Sequence, residues 1–342
     1  MKPQYLRWTA VWAVVLIAAA FLIPGILVKN LYSEGGDMPS PAPSASALEQ
    51  KLQTNESSLR VTVYLTKEKR IEDVPLEQYV RGVLAAEMPA EFELEALKAQ
   101  AIAARTYVIR RIKNKDYSNV PVEGALVTDT VAHQAYLTEE GMKKKWPDPK
   151  EYVANKNKLT EAVNETLGQI ITYQNEPIIA AFFSTSNGYT ENSEEYWENF
   201  SPYLRSVKSP WDERISPKFT ETVTLSTKDF ASKLGIALAA NGSKPALKVL
   251  EETAGHRIKQ IQVGNKVFTG REVREKLGLK SSQFTWKWQK NGIELTTYGY
   301  GHGIGMSQWG ANGMAKEGKT ASQILRYYYS GVNISKLSDN AA

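Results

Sequence analysis

At 342 residues with 42% hydrophobic content, the chain can bury a substantial core, as one large domain or two small ones. Its 42 Lys and Arg against 37 Asp and Glu give a formal net charge of +5, yet the basic runs KEKR, RRIKNK and KKK are scattered, which excludes a nucleic-acid stripe and leaves attraction to an anionic wall or membrane surface open. Zero cysteines exclude disulfides, thiol nucleophiles and Cys-based zinc sites, and a His-only metal centre would need all three histidines, His133, His256 and His302.

After a basic start at 1–7, read as a cytoplasmic N-terminus, residues 8–28 form an uncharged, mostly apolar run. That is the length, about 20 residues, that spans a bilayer. Lys2 and Arg7 before the span and Lys29 after it lean toward an internal N-terminus, which would put the rest outside the cytoplasm. Ala18-Ala19-Ala20 keeps signal-peptide cleavage as the alternative. Residues 29–58, Pro/Ser/Ala-rich at 34–47, read as a flexible linker, and residues 59–337 as an extracytoplasmic domain, with a smaller lobe about 220–297 as a candidate subdivision.

In the domain, Val61, Val63 and Leu65 alternate with polar positions as in a half-buried strand. Val80, Val83, Leu84 and Ala86 recur at helical spacing, and Pro89 disfavours helix at the residue before it, so Glu87 falls in the last helical turn. A second helix begins near Leu94, with Leu97, Ala101, Ala104 and Val108 on one face. Residues 168–188 give two β-rich runs around a hairpin at 174–177, then a polar loop. Short strands follow at 221–225, 258–263 and 294–298, with helical pieces at 227–234 and 271–277. The order is not a regular βαβα alternation, which favours an α+β fold of helices and short, mostly antiparallel strands.

Glu87 carries the main chemical signal. A helix C-terminus repels an anion and apolar neighbours strip its water, so both raise the carboxyl pKa, as a general acid requires. The plain alternative is a solvated carboxylate. Gln100 and Arg105 sit amid alanines, where Arg105 could grip a carboxylate or sugar hydroxyls, or simply form a structural salt bridge. Ser184, Ser186 and Asn187 lie in a turn that could offer hydroxyls and an amide to a sugar, or only end a hairpin. Residues 299–313 hold six glycines around His302, Ser307, Gln308 and Trp309, a density that implies unusual torsions or close approach. His302 could shuttle protons, orient Glu87, or be structural. The aromatics of EEYWENFSPYL and FTWKW could stack on sugars or fill a core. A formal phosphate-loop match, Gly313 to Thr320, lacks a preceding strand; it reads instead as a short helix stopped at Gly318 and a capping box from Thr320 to Gln323.

LAAEMP with KAQAIAARTY, then FFSTSNG, SPYLRSVKSPWDE, GREVREKLGL followed by SSQF, and GHGIGMSQWGA, in that order over 59–337, resemble the stage II sporulation protein D family. The resemblance implies a membrane-bound peptidoglycan lytic transglycosylase with a glycan-binding cleft. Such an enzyme cuts the MurNAc–GlcNAc bond of strands freed of stem peptides and leaves 1,6-anhydroMurNAc ends. It would act in septal wall removal and engulfment during sporulation, between the mother-cell and forespore membranes. Stage II sporulation protein P, an amidase, and stage II sporulation protein M are the implied partners, and no cofactor is implied. By motif the catalytic residue falls on Glu87, and the cleft on Gln100, Arg105, Ser184, Ser186, Asn187 and Tyr203, with His302 and Ser307 added. Some members hold a metal partly by cysteine near the segment here reading TDTVAHQAY; without cysteine, His133 is not taken as a ligand. Related domains described as amidase enhancers set the alternative, a non-enzymatic glycan-binding module.

Overall fold

The computed structural model describes residues 59–197, 199–238 and 244–337. The expected anchor at 8–28, its flank at 1–7 and the linker at 29–58 lie outside them. No helix among the described residues is long and apolar enough to cross a membrane.

Strand β1 (Arg60–Leu65) points Val61, Val63 and Leu65 into the core and pairs antiparallel with β2 (Arg70–Pro75). The chain then turns directly into α1 (Leu76–Glu87), whose Val80, Val83 and Leu84 are fully buried. Burial of each such aliphatic side chain is worth about 1.5–3 kcal/mol. Helix α1 stops where the sequence says it must, because Met88, the residue before Pro89, is extended at φ −116°, ψ 142°. The long α2 (Leu94–Asn114) is alanine-rich, which lets neighbours approach closely on several sides, and it packs against α1 and the later helices α4, α9 and α10.

Strand β3 (Val127–Thr128) joins β1 in parallel, followed by α3 (Glu139–Lys145) and α4 (Pro149–Glu165), two helices that periodicity had not marked. Their start signals are plain in the structure: Thr138 and Asp148 accept backbone N–H groups as N-caps. The hairpin of β4 (Gln169–Tyr173) and β5 (Glu176–Pro177) turns at Gln174 and Asn175, both at positive φ, as a type I′ turn demands. Its second strand is only two residues long, shorter than the expected run. Strand β6 (Phe182–Phe183) and the short helices α5 (Glu194–Trp197) and α6 (Trp211–Ile215) complete the first half.

A second apolar core gathers around Phe230, Ile261, Ile293 and Leu295. It is built from β7 (Thr220–Ser226), α7 (Thr227–Leu234), β8 (Leu247–Glu252), β9 (Ile258–Val263), β10 (Lys266–Thr269), α8 (Gly270–Leu277), β11 (Phe284–Gln289) and β12 (Gly292–Tyr298). The sheets run β10-β9-β8 and β11-β12-β7, all antiparallel. The FTWKW segment is strand β11, and its Trp286 and Trp288 pack against this core, the filling role of the two considered.

The chain returns to the first core through β13 (Met306–Ser307), parallel to β6, then α9 (Gln308–Lys316), α10 (Ala321–Tyr328) and β14 (Asn333–Lys336). Gly313 lies inside α9 against Trp211, and the Thr320–Gln323 capping box is present, so the phosphate-loop match has no loop. The whole is mixed α+β with short, mostly antiparallel sheets.

One glycine is set by close approach. A Cβ on Gly82 in α1 would lie 2.2 Å from the Tyr136 ring and 2.7 Å from the Leu137 carbonyl oxygen. Alanine at this site gains about 1 kcal/mol of helix propensity, but forcing atoms into packed space costs about 1–3 kcal/mol. Gly82→Ala is therefore expected to lower the urea unfolding midpoint; an unchanged or higher midpoint would show that the loop over α1 can yield.

Candidate active site

Helix α1 is anchored at its start by a buried ion pair. Arg105 in α2 is fully buried and grips both carboxylate oxygens of Glu77 at the start of α1, with Nε 2.9 Å from Oε1 and Nη2 2.6 Å from Oε2. Its Nη1 donates to the Gln169 carbonyl at 3.0 Å. This is the salt-bridge alternative: the structure corrects the expectation that Arg105 lines a cleft, because its side chain is fully buried and its guanidinium is engaged by Glu77 and the Gln169 carbonyl. Fixing α1 to α2 in turn fixes where Glu87 emerges.

Glu87 is part-buried, and its Oε1 accepts the Ala135 backbone N–H at 2.8 Å. The side-chain amide of Gln308, at the start of α9, lies beside it. Burial pushes the carboxyl pKa up, and the Ala135 N–H and Gln308 amide pull it back less strongly. Among the described residues no cation forms an ion pair with Glu87. The Gln308 Nε2 is itself buried and completes no hydrogen bond of normal geometry, which leaves a donor ready beside the carboxyl as it ionises.

The segment that presents Ala135 packs tightly on α1. Leu137 N–H donates to the Gly82 carbonyl at 3.1 Å, Tyr136 stacks on Tyr79 at 5.5 Å, and the Tyr79 hydroxyl donates to Gln134 Oε1 at 3.1 Å. His133 in the same segment is structural. Its Nδ1 meets Thr128 Oγ1 at 2.9 Å and its Nε2 meets the Ser118 carbonyl at 3.2 Å, while burial lowers its pKa. No group of three metal-capable side chains occurs among the described residues. Gln100 is fully buried in α2 and neither of its amide atoms has a partner, so it too differs from an open cleft residue.

Two of the remaining expected residues, Ser186 and Ser307, meet at a carboxylate that sequence reasoning passed over, Asp212 in α6. It is fully buried, and it accepts the Ser186 N–H at 2.7 Å, the Ser209 hydroxyl at 2.6 Å and the Ser307 hydroxyl. Ser209 continues to the Tyr328 hydroxyl at 2.7 Å. Burial holds the Asp212 carboxyl above its ordinary range in spite of these donors. Ser186 and Ser307 are thus scaffold, and Ser307 also caps α9 through Gly310 N–H at 3.2 Å. Ser184 is half-buried and its carbonyl receives the Trp309 N–H at 3.1 Å, which ties the loop to the segment carrying Gln308.

Asn187 donates to the Gly255 carbonyl at 2.9 Å and to Gln283, binding the loop to the second core. The Tyr203 hydroxyl accepts Ile179 N–H at 3.1 Å and its ring packs on Tyr173. His302 sits among the rings of Phe183, Tyr196 and Trp197 at 5.5–5.9 Å, and its Nδ1 accepts the Ile304 N–H at 3.0 Å. Burial, with Arg274 and Arg257 nearby, pushes its pKa down to about 3. These ring contacts and the bond from Ile304 fit the structural alternative, and the lowered pKa favours the neutral imidazole.

The SpoIID family model, described as stage II sporulation protein, matches residues 64–173, the stretch that includes Glu87 and Ala135. The chain is 44% identical over 343 residues to stage II sporulation protein D of Bacillus amyloliquefaciens, covering 98% of this chain and 96% of the relative. It is 45% identical over 328 residues to stage II sporulation protein D of Bacillus subtilis (strain 168), covering 94% of each. It is 30% identical over 306 residues to the amidase enhancer of Bacillus subtilis (strain 168), covering 75% of this chain and 40% of that one.

The buried carboxyl also sets a stability test. Because the folded pKa of Glu87 lies above its unfolded value, the native state holds this proton more tightly. The stabilising contribution is complete below the unfolded pKa of about 4.3 and is lost as pH rises through the folded value. Glu87→Gln carries no charge to desolvate, so it is expected to melt higher than the parent at pH 7, with the gap closing near pH 4. Melting curves across that range check this, and a variant less stable at pH 7 would contradict the burial argument.

Proposed function

The chain belongs to the stage II sporulation protein D family, and on that premise we propose that it cuts peptidoglycan glycan strands as a lytic transglycosylase with Glu87 as its single acid and base. The observation that carries the reading is a part-exposed carboxyl, desolvated and without an ionic partner, beside an amide donor that favours its charged form.

Hydrolysis of a glycoside ordinarily needs two carboxyl groups flanking the sugar. Among the described residues the other two carboxyls with burial-raised pKa values, Asp212 and Glu191, are sealed inside: Glu191 takes Thr253 Oγ1 at 2.7 Å, Gly255 N–H at 2.8 Å and lies 3.7 Å from Arg257. A transglycosylase manages with one group, because the substrate's own C6 hydroxyl is the nucleophile. Protonated Glu87 gives its proton to the bridging oxygen as the MurNAc C1–O bond breaks. The resulting carboxylate then takes the proton of the C6 hydroxyl as that oxygen bonds to C1, closing a 1,6-anhydro ring and restoring the acid. The Gln308 amide and Ala135 N–H stabilise the carboxylate between the two steps.

In this reading the substrate is strands freed of stem peptides, and the setting is septal wall removal during engulfment. Residues 8–28 hold the catalytic domain on the outer side of the membrane, beside stage II sporulation proteins P and M. A second reading, a non-enzymatic glycan-binding enhancer of an amidase, draws support from the similarity to the amidase enhancer.

Mass spectrometry of products from stem-free strands separates these. We expect 1,6-anhydro ends, and ordinary reducing ends would make the protein a hydrolase. Glu87→Gln is expected to lose at least about a hundredfold in rate, the lower range for a general acid; full activity in that variant would overturn the assignment. The rate should fall as pH rises through the raised Glu87 pKa. Stimulation of a partner amidase that survives in Glu87→Gln, with no cutting by the parent protein, would favour the enhancer reading.

A further inference from the structure

Helix α1 ends with a carbonyl that the sequence itself deprives of its donor. The Ala85 C=O would ordinarily take the N–H four residues on, but that residue is Pro89, which has none. The Met88 N–H, three residues on, goes to the Leu84 carbonyl instead, at 3.0 Å. A carbonyl left open in the turn that carries Glu87 would let that turn fray. The structure closes it from elsewhere: the Lys145 ammonium, 60 positions later at the end of α3, donates to the Ala85 oxygen at 2.6 Å.

Lys145 is brought there by the same stretch of chain that surrounds Glu87. Ala135 N–H meets Glu87 Oε1 at 2.8 Å, Leu137 N–H meets the Gly82 carbonyl at 3.1 Å, and Thr138 then caps α3. Met142 and Trp146, on either side of Lys145, are buried, and the Trp146 N–H closes on the Met142 carbonyl at 2.9 Å, so the Lys145 backbone is fixed. The ammonium lies 5.2 Å from the centre of the Trp146 ring. It is partly withdrawn from water, which lowers its pKa, with Glu91 pulling it back up. The last turn of α1 holds no basic residue of its own, so Lys145 supplies from outside both the donor and the positive charge that favour a helix C-terminus.

We propose that Lys145 is a positioning residue for Glu87: by taking the Ala85 carbonyl it locks the last turn of α1 against the 135–137 segment, and so holds the Glu87 carboxyl in its part-buried seat beside Ala135. The inference rests on the acid role read for Glu87, but the titration of that carboxyl tests it without any cleavage. A lysine here has two rival roles, and each leaves a different mark. A cap that serves stability alone lowers the melting temperature on removal and leaves Glu87 as it is. A cation that acts through its charge alone favours the ionised carboxyl, so its removal raises the Glu87 pKa further. Loss of position does the opposite, because a frayed turn lets water reach the carboxyl and its pKa falls toward 4.5.

The test compares the full-length protein with Lys145→Met, which removes donor and charge from a long side chain, and with Lys145→Arg, which keeps both. For each, the Glu87 carboxyl is titrated by carbon-13 NMR and the rate is measured on stem-free glycan strands, well below the melting midpoint of that variant. Lys145→Met is expected to bring the Glu87 midpoint down toward 4.5 and to lower kcat at least about tenfold with KM near the parent value, the loss that follows when a catalytic group is slightly misplaced. Lys145→Arg should restore most of both. An unmoved midpoint with parental kcat would reduce Lys145 to a stability cap, a higher midpoint would make its effect one of charge, and a raised KM at unchanged kcat would put it in contact with substrate; each of these overturns the proposal. If the parent protein cuts nothing, the transglycosylase reading falls, and the Glu87 midpoints still decide the role of Lys145.

Discussion

The site depends on one packing contact: the segment from Asp129 to Leu137 lies directly on α1 at Gly82. The Gly82 carbonyl takes Leu137 N–H at 3.1 Å, and the Tyr136 ring fills the space a side chain would need. This contact carries the Ala135 amide to within 2.8 Å of Glu87 and strips water from the carboxyl. The buried Glu77–Arg105 pair sets the other end of the same helix. Such a pair contributes little net stability, because desolvation offsets its Coulomb attraction. Its effect here is to fix one register of α1 against α2, and with it the exit point of Glu87.

Among the described residues three carboxyls have pKa values raised by burial, and their surroundings sort them by role. Besides its neighbour Ser209, Asp212 joins two remote stretches, at Ser186 and Ser307, and so ties the 184–187 loop to the start of α9. Glu191 joins the first core to the second through Thr253, Gly255 and Arg257. Both are closed off by donors on their oxygens. Glu87 alone of the three keeps partial exposure, which is why the proposed reading assigns the proton transfer to it.

Much of this was legible in the sequence, for definite reasons. Alternation at Val61, Val63 and Leu65 gave β1, Pro89 gave the end of α1, and the Thr320–Gln323 pattern gave a cap in place of a phosphate loop. Glu87 stood out because an apolar helix seldom ends on a bare carboxylate. Its chief partner could not be read, since Ala135 acts through a backbone N–H that leaves no mark on residue type. Arg105 was misplaced because its partner lies 28 positions earlier, and polar residues on a small-residue helix look alike whether they face a ligand or a buried charge. Ser186, Ser307 and Tyr203 were expected to bind substrate, whereas their hydrogen bonds in the structure go to Asp212 and to Ile179.

The most direct test of the central claim is a carbon-13 NMR titration of the glutamate carboxyls, with Glu87→Gln identifying the Glu87 resonance by its disappearance. The account requires a midpoint above the ordinary 4.5 of a glutamate, and a further upward shift when Gln308 is replaced by Leu, because the amide that favours the charged form is then gone. A midpoint at or below 4.5 would mean a solvated carboxylate at the end of α1, and the acid role built on it would fall.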